Sequence, residues 1–297
     1  MGKLLTSLGA LALVGLGTAW VLTEPDPLPA SSLDGLIGDP ERGALVFAAG
    51  GCASCHAAPE ADDQTASHLG GGRRFETQFG TFIAPNISSD PVHGIGNWSD
   101  LEIVNAVMRG VSPEGAHYYP AFPYSSYIRA DVADIVDLAA HLRTLPAVAT
   151  PSLDHEVGFP FNIRRSLGGW KLLFLNEDWI VETELDAQEI RGRELVEGLA
   201  HCGECHTPRN ILGGSKTSAW LGGAANPSGD GTIPNITSGK LDWSAEDIAI
   251  YLESGFTPSF DTAGGEMVHV VRNMAKLPQS DRNAIAAYLK AVPPVTQ

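Results

Sequence analysis

Two short segments of this chain carry residues whose types and spacing do chemistry together: Cys52-Ala53-Ser54-Cys55-His56 and Cys202-Gly203-Glu204-Cys205-His206. They hold all four cysteines of the 297 residues, 150 positions apart. Two thiols three positions apart, with a histidine directly after, suit covalent attachment of haem: the sulfurs add to two vinyl groups and the imidazole gives a nitrogen to iron. Two Cys-x-x-Cys pairs can also close one tetrahedral zinc site, and four cysteines in an exported protein can form two disulfides or thiol-redox pairs. Those readings leave His56 and His206 as coincidences. Two covalently bound haem c groups are therefore the expected cofactors, with Cys52, Cys55, Cys202 and Cys205 as attachment points and His56 and His206 as iron ligands.

The elements that must position these segments are themselves repeated. Arg42-Gly43 upstream of the first motif matches Arg191-Gly192 upstream of the second, and Pro85-Asn86-Ile87-Ser88 downstream matches Pro234-Asn235-Ile236-Thr237. Trp98-Ser99 with Glu102, and Trp243-Ser244 with Asp247, read as helix starts, a serine cap with an acid three positions on. Apolar residues at helical spacing follow, closed by Gly110 and Gly255, and a last helix in each copy stops before Pro146 or Pro293. The chain reads as all-α: 1–22 a signal peptide or signal anchor, 23–35 a Pro-rich spacer, 36–148 a first unit, 149–185 a connector, and 186–297 a second unit. Phe159-Pro160-Phe161 and Trp170 to Leu175 make the connector too apolar for a free linker, so it is expected to pack across both units.

Composition narrows the rest. With 43% hydrophobic and 18% charged residues the chain buries real cores, which excludes an intrinsically disordered protein. A net charge of −16 argues against non-specific binding of nucleic acid. Leu4 to Leu22 run without a charge behind Lys3, with Trp20 near the outer end. That pattern reads as an export signal or, by its length, an uncleaved membrane anchor, and the prolines behind it read as a stiff spacer. The expected place is the periplasmic face of a bacterial inner membrane, or the periplasm if the segment is cleaved.

Both halves resemble class I cytochrome c domains, in tandem. More narrowly, Tyr119-Pro120-Ala121-Phe122-Pro123-Tyr124, residues 164–174 and Ala284 to Lys290 resemble the membrane-bound cytochrome c subunits of periplasmic alcohol, gluconate and sorbitol dehydrogenases. That family commonly carries three haems, whereas this chain has two motifs. The resemblance implies a methionine as sixth iron ligand, on a loop before the last helix. In the second unit Met267, twelve residues after Gly255, is the candidate, and Met274 reads as core. In the first unit the twelfth residue after Gly110 is Phe122, which cannot bind iron. His117 on the same loop is the first substitute, with an open position behind Phe122, Met108, Tyr118, Tyr119, His68 and His93 as the others. Trp98, Trp243, Asn86 and Asn235 sit at equivalent places and are candidates for holding haem propionates, though packing explains the tryptophans as well.

The resemblance implies an electron carrier, anchored in the membrane, that takes electrons from a dehydrogenase or a quinol-oxidising complex and delivers them to another cytochrome or a terminal oxidase of the respiratory chain. The competing class is a di-haem redox enzyme, peroxidase-like, with an open sixth position at the first haem. No nucleophile motif or phosphate-cradling glycine loop points to other chemistry.

Overall fold

The computed structural model describes residues 2–61, 65–226 and 231–296, with the backbone alone for residues 2–6 and 12, so the Lys3 side chain lies outside the described residues. Helix α1 runs Gly2–Leu22. The first unit contains α2 (Pro40–Ala49), α3 (Cys52–His56), α4 (Asp100–Val104), α5 (Tyr124–Tyr127) and α6 (Val132–Leu142), and the connector contains α7 (Ser166–Phe174). The second unit contains α8 (Ala187–Arg193), α9 (Gly203–His206), α10 (Ala245–Ser254), α11 (Met267–Met274) and α12 (Gln279–Ala291). Side-chain chemistry sets several of the starts. Asp39 caps α2 ahead of Pro40, and Ser99, Asp186 and Ser244 form capping boxes with Glu102, Glu189 and Asp247. Gly110 and Gly255 take the left-handed conformation that ends the middle helices.

In each unit the first helix crosses the last at a glycine. A Cβ at Gly43 would collide with the Asp137 carbonyl of α6, and one at Gly192 with the Ala284 carbonyl of α12. Close approach of two backbones is what these positions demand of their side chain, and only hydrogen meets it.

The fold is mostly helical but departs from the all-α expectation by two antiparallel hairpins. Strands β1 (Arg74–Thr77) and β2 (Gly80–Ile83) pair in the first unit, and β3 (Ala224–Ala225) and β4 (Thr232–Ile233) in the second. β2 is held from the far side by the connector, through a bridge between Thr81 and Glu156. The connector reaches both units: Arg164 donates to the His117 carbonyl, and Trp170 Nε1 donates to the Leu212 carbonyl at 2.9 Å.

One continuous core joins the halves, running from Val46 and Ile135 through Leu195 and Leu221 to Ile285 and Tyr288. A cavity of about 130 Å³ sits on the seam, lined by counterparts from each unit: Arg42 and Arg191, Val46 and Leu195, Asp134 and Asp281.

Residues 23–35 are not a spacer standing free of the body. The Leu28 amide donates to Asn105 Oδ1 at 2.6 Å, Arg109 pairs with Asp26, and Leu28 and Leu33 pack on the core. Prolines stiffen this stretch, and the apolar leucines between them give it a surface to lie on. Among the described residues no helix is long and apolar enough to cross a membrane. The side chains of Leu8, Leu11, Leu13, Val14, Leu16 and Val21 on α1 are all exposed.

Candidate haem sites

Each motif forms a single helical turn, α3 or α9, so that thiols at positions i and i+3 share a face. None of the four cysteines is paired in a disulfide. Burial pushes Cys52 and Cys202 up to about 12, which keeps them neutral. Among the described residues no three His, Cys, Asp or Glu side chains gather to hold a metal ion, so the zinc reading finds no cluster.

The two histidines stand in matching environments. His56 Nδ1 lies 2.9 Å from the Pro85 carbonyl, and His206 Nδ1 lies 2.8 Å from the Pro234 carbonyl. A carbonyl accepts, so each Nδ1 carries the proton and each Nε2 is left with its lone pair. Burial lowers the pKa of both rings and keeps them neutral. A neutral imidazole with its second nitrogen tied to a carbonyl is the arrangement metal-ligating histidines adopt. Two free thiols and an oriented imidazole on one turn fit a covalently attached haem at both places.

The loops around the motifs close with the same bonds. The Gly71 amide donates to the His56 carbonyl and the Gly223 amide to the His206 carbonyl. Asn86 Nδ2 donates to the carbonyls of Val148 and Thr150, and its Oδ1 accepts from the Ser88 amide. Asn235 does the same with the Val295 carbonyl and the Thr237 amide. Both side-chain amides thus bond backbone and tie each loop to the chain after the last helix, a structural role beside the propionate contact expected of Asn86 and Asn235. Trp98 and Trp243 are half-buried; their carbonyls accept from Arg143 and Lys290, and the Trp243 ring stands edge-on to Tyr251 at 5.2 Å.

The sixth-ligand loops also correspond. The Tyr118 amide donates to the Gly110 carbonyl and the Ala263 amide to the Gly255 carbonyl, each at 2.8 Å. Met267 begins α11 and is half-buried, while Met274 at the other end is packed in the core. Phe122 lies between the rings of Tyr118 and Tyr127, 6.0 Å from each. Tyr127 donates to the Gly50 carbonyl beside the first motif.

His117 is placed elsewhere. Its ring is buried against Gly168 of α7, and Nε2 donates to the Thr23 carbonyl at 3.0 Å. That nitrogen is paired to backbone where the ring meets the end of α1 and α7, while the buried Nδ1 has no hydrogen-bond partner among the described residues. Met108 is a core residue.

Contacts between the two sites are the part sequence reasoning missed. Arg73 pairs with both carboxylate oxygens of Glu266, at 2.8 and 2.9 Å, and Asn273 Nδ2 donates to Ser54 Oγ at 2.9 Å. Ser125 and Ser126 donate to Glu204, and His201 Nε2 donates to the Gly50 carbonyl. Burial opposes charge on Glu204, yet Arg209, His201 and the two hydroxyls hold its carboxyl below the usual range.

Comparison with known proteins agrees with this geometry. Residues 40–146 match the family described as cytochrome c. The chain is 54% identical over 295 residues to a diheme cytochrome c-type protein of Cereibacter sphaeroides, covering 99% of this chain and 100% of that one. It is 36% identical over 275 residues to the fructose dehydrogenase cytochrome subunit of Gluconobacter japonicus, covering 90% of this chain and 55% of the relative. Against the cytochrome c subunit of an alcohol dehydrogenase (quinone) of Gluconacetobacter polyoxogenes it is 32% identical over 267 residues, covering 86% and 56%. The chain thus spans the whole of the first relative and about half the length of the other two.

Proposed function

This chain belongs to the cytochrome c family, and from that premise we propose that it is a di-haem electron carrier that serves a dehydrogenase complex. The observation that carries the reading is the pair of Cys-x-x-Cys-His turns, each with its histidine oriented by a proline carbonyl, braced against one another across one core. Haem, when bound, supplies a one-electron couple at iron. The protein's part is to hold it and to set its environment. Cys52, Cys55, Cys202 and Cys205 anchor the two groups, and His56 and His206 present Nε2. Met267 supplies a thioether to the second, which makes that site the one of higher potential. In the first unit Phe122 stands in the place equivalent to Met267, Met108 is packed in the core and His117 Nε2 is engaged with the Thr23 carbonyl.

Relatives named as cytochrome subunits of fructose and alcohol dehydrogenases support a dehydrogenase as electron donor, and the acceptor proposed with it is a further cytochrome or oxidase. The −16 charge favours partners with a basic docking face. The exposed apolar side chains along α1 support anchorage at the periplasmic face of the inner membrane. Because residues 23–35 lie on the first unit, an anchored α1 would hold the body close to the bilayer. A second reading, a di-haem enzyme that turns over peroxide, draws on Phe122 alone.

A haem-to-protein ratio of two from the pyridine haemochrome spectrum, with two separate potentials in a redox titration, is the expected result. A ratio of one would sink the di-haem reading. Peroxide turnover by the purified protein above that of free haem would move the enzyme reading ahead, and protein found wholly in the soluble fraction with α1 intact would remove the anchor.

A further inference from the structure

Helix α11 opens with Met267, and side chains of the other unit fasten to both its ends, beside Arg282 of its own unit at the Met274 carbonyl. At the N-terminal end Glu266 receives Arg73 through two oxygens, and the same guanidinium donates to the Ser54 carbonyl. At the far end buried Asn273 donates to Ser54 Oγ. Ser54 is the third residue of the first motif. The relation is returned: Glu204, the third residue of the second motif, accepts from Ser125 and Ser126 at 2.9 Å each. Those serines lie on α5, the helix that follows Phe122. Each motif therefore grips the helix beside the other unit's sixth-ligand position.

We propose that Arg73, Ser54 and Asn273 are positioning residues for Met267, so that thioether coordination at the second site is held in place by the first motif. This deepens the reading of Met267 given above and rests on it. A thioether is a weak, soft ligand on a flexible side chain. How long it stays on iron then depends on how firmly its backbone is placed. α11 has two turns, too short to be stable by itself, and takes its position from Val271 and Met274 buried beneath it and from what its ends are tied to. An ion pair whose glutamate is largely exposed adds little to global stability, so its loss acts on the helix it tethers. The returned ties from Glu204 to α5 have no ligand to place, since Phe122 cannot coordinate.

The test uses the haem-loaded full chain and the weak far-red charge-transfer band that methionine gives to ferric haem. Free imidazole is titrated in, and the concentration that half-removes the band is read. Met267→Ala abolishes the band. Arg73→Gln and Asn273→Ala each lower the half-removal concentration about tenfold, a change of about 1.4 kcal/mol in ligand exchange. The swap of Arg73→Glu with Glu266→Arg restores it, which a loss of folding would not allow. Arg74→Gln, which removes a surface pair with Glu156, leaves it unchanged. If Arg73→Gln and Asn273→Ala behave like Arg74→Gln while Met267→Ala removes the band, the proposal is overturned and Met267 stands as ligand. If Met267→Ala keeps the band, the ligand assignment fails and the proposal with it.

Discussion

Phe122 occupies in the first unit the place Met267 occupies in the second: each lies twelve residues beyond a left-handed glycine, Gly110 or Gly255, whose carbonyl accepts an amide eight residues on. The loops share that closure and part beyond it: the Phe122 amide bonds the Tyr119 carbonyl ahead of the short α5, whereas Met267 itself opens α11. Phe122→Met should therefore give the first haem a thioether ligand. Carbon monoxide affinity of the reduced protein at that haem is expected to fall by at least about tenfold, roughly 1.4 kcal/mol. A second far-red ferric band should appear. Unchanged carbon monoxide binding would mean that another ligand already fills the first site.

Removing the sulfur from the second site has the opposite reach. Met267→Ala is expected to lower the higher of the two potentials and leave the lower one in place, because Met/His ligation raises potential at its own iron. A spectroelectrochemical titration reads both values in one experiment. Movement of the lower potential alone would reverse the assignment of the two sites.

Asn86 and Asn235 are expected to act on stability, without a direct hold on the cofactor. Each ties its Pro-Asn-Ile loop to the chain after the last helix through both ends of its amide. Truncation leaves buried backbone groups unpaired, at a cost of about 2 kcal/mol. Asn86→Ala should shift the guanidinium midpoint by that amount with the haem spectrum unaltered. A changed potential with unchanged stability would return Asn86 to the haem edge.

At the helix crossings the cost is steric. Gly43→Ala and Gly192→Ala place a methyl against a carbonyl of the partner helix, and overpacking of this kind costs about 1–3 kcal/mol or more. Both variants should give reduced yields of haem-loaded protein. Alanine at Gly169, where a Cβ meets open space, is the matched control and should behave as wild type.

One lysine gives a pH signature. Lys171 donates to the carbonyls of Arg109 and Gly110 and lies over the Tyr124 ring, and burial, with the Arg109 charge, pushes it down to about 8. Its ordinary value is 10.5, so between those two the unfolded chain holds a proton that the folded chain has released. Stability contributed at this position rises with pH across that window. Wild type should gain stability relative to Lys171→Met from pH 8 to 10.5, measured by denaturant titration at several pH values. A difference that stays flat would mean that Lys171 remains charged throughout.

The sequence carried most of the local design and little of the assembly. Cysteine spacing, the paired Ser caps, Gly110 and Gly255, and the repeated Pro-Asn-Ile were readable because each does its work within a few residues. The Pro85 and Pro234 carbonyls that orient the histidines lie in that same repeat, and it was the only signal for them. The tie of His117 to the Thr23 carbonyl is not legible in the sequence because that partner is 94 positions away and any residue could supply it. Arg73 and Glu266 lie 193 apart, and Ser54 and Asn273 219 apart, in types that ordinarily sit solvated on a surface. The hairpins were missed for a related reason, since β2 is stabilised from the connector side by Glu156.

The seam between the halves has the form of a two-fold dimer interface written into a single polypeptide, with Arg42 facing Arg191 and Asp134 facing Asp281 across it. In a true homodimer every substitution is made twice, so a change that unseats one sulfur unseats both. Joining the copies in one chain lifts that restriction. A substitution can then be made at one centre and not at the other, as the difference between Phe122 and Met267 shows.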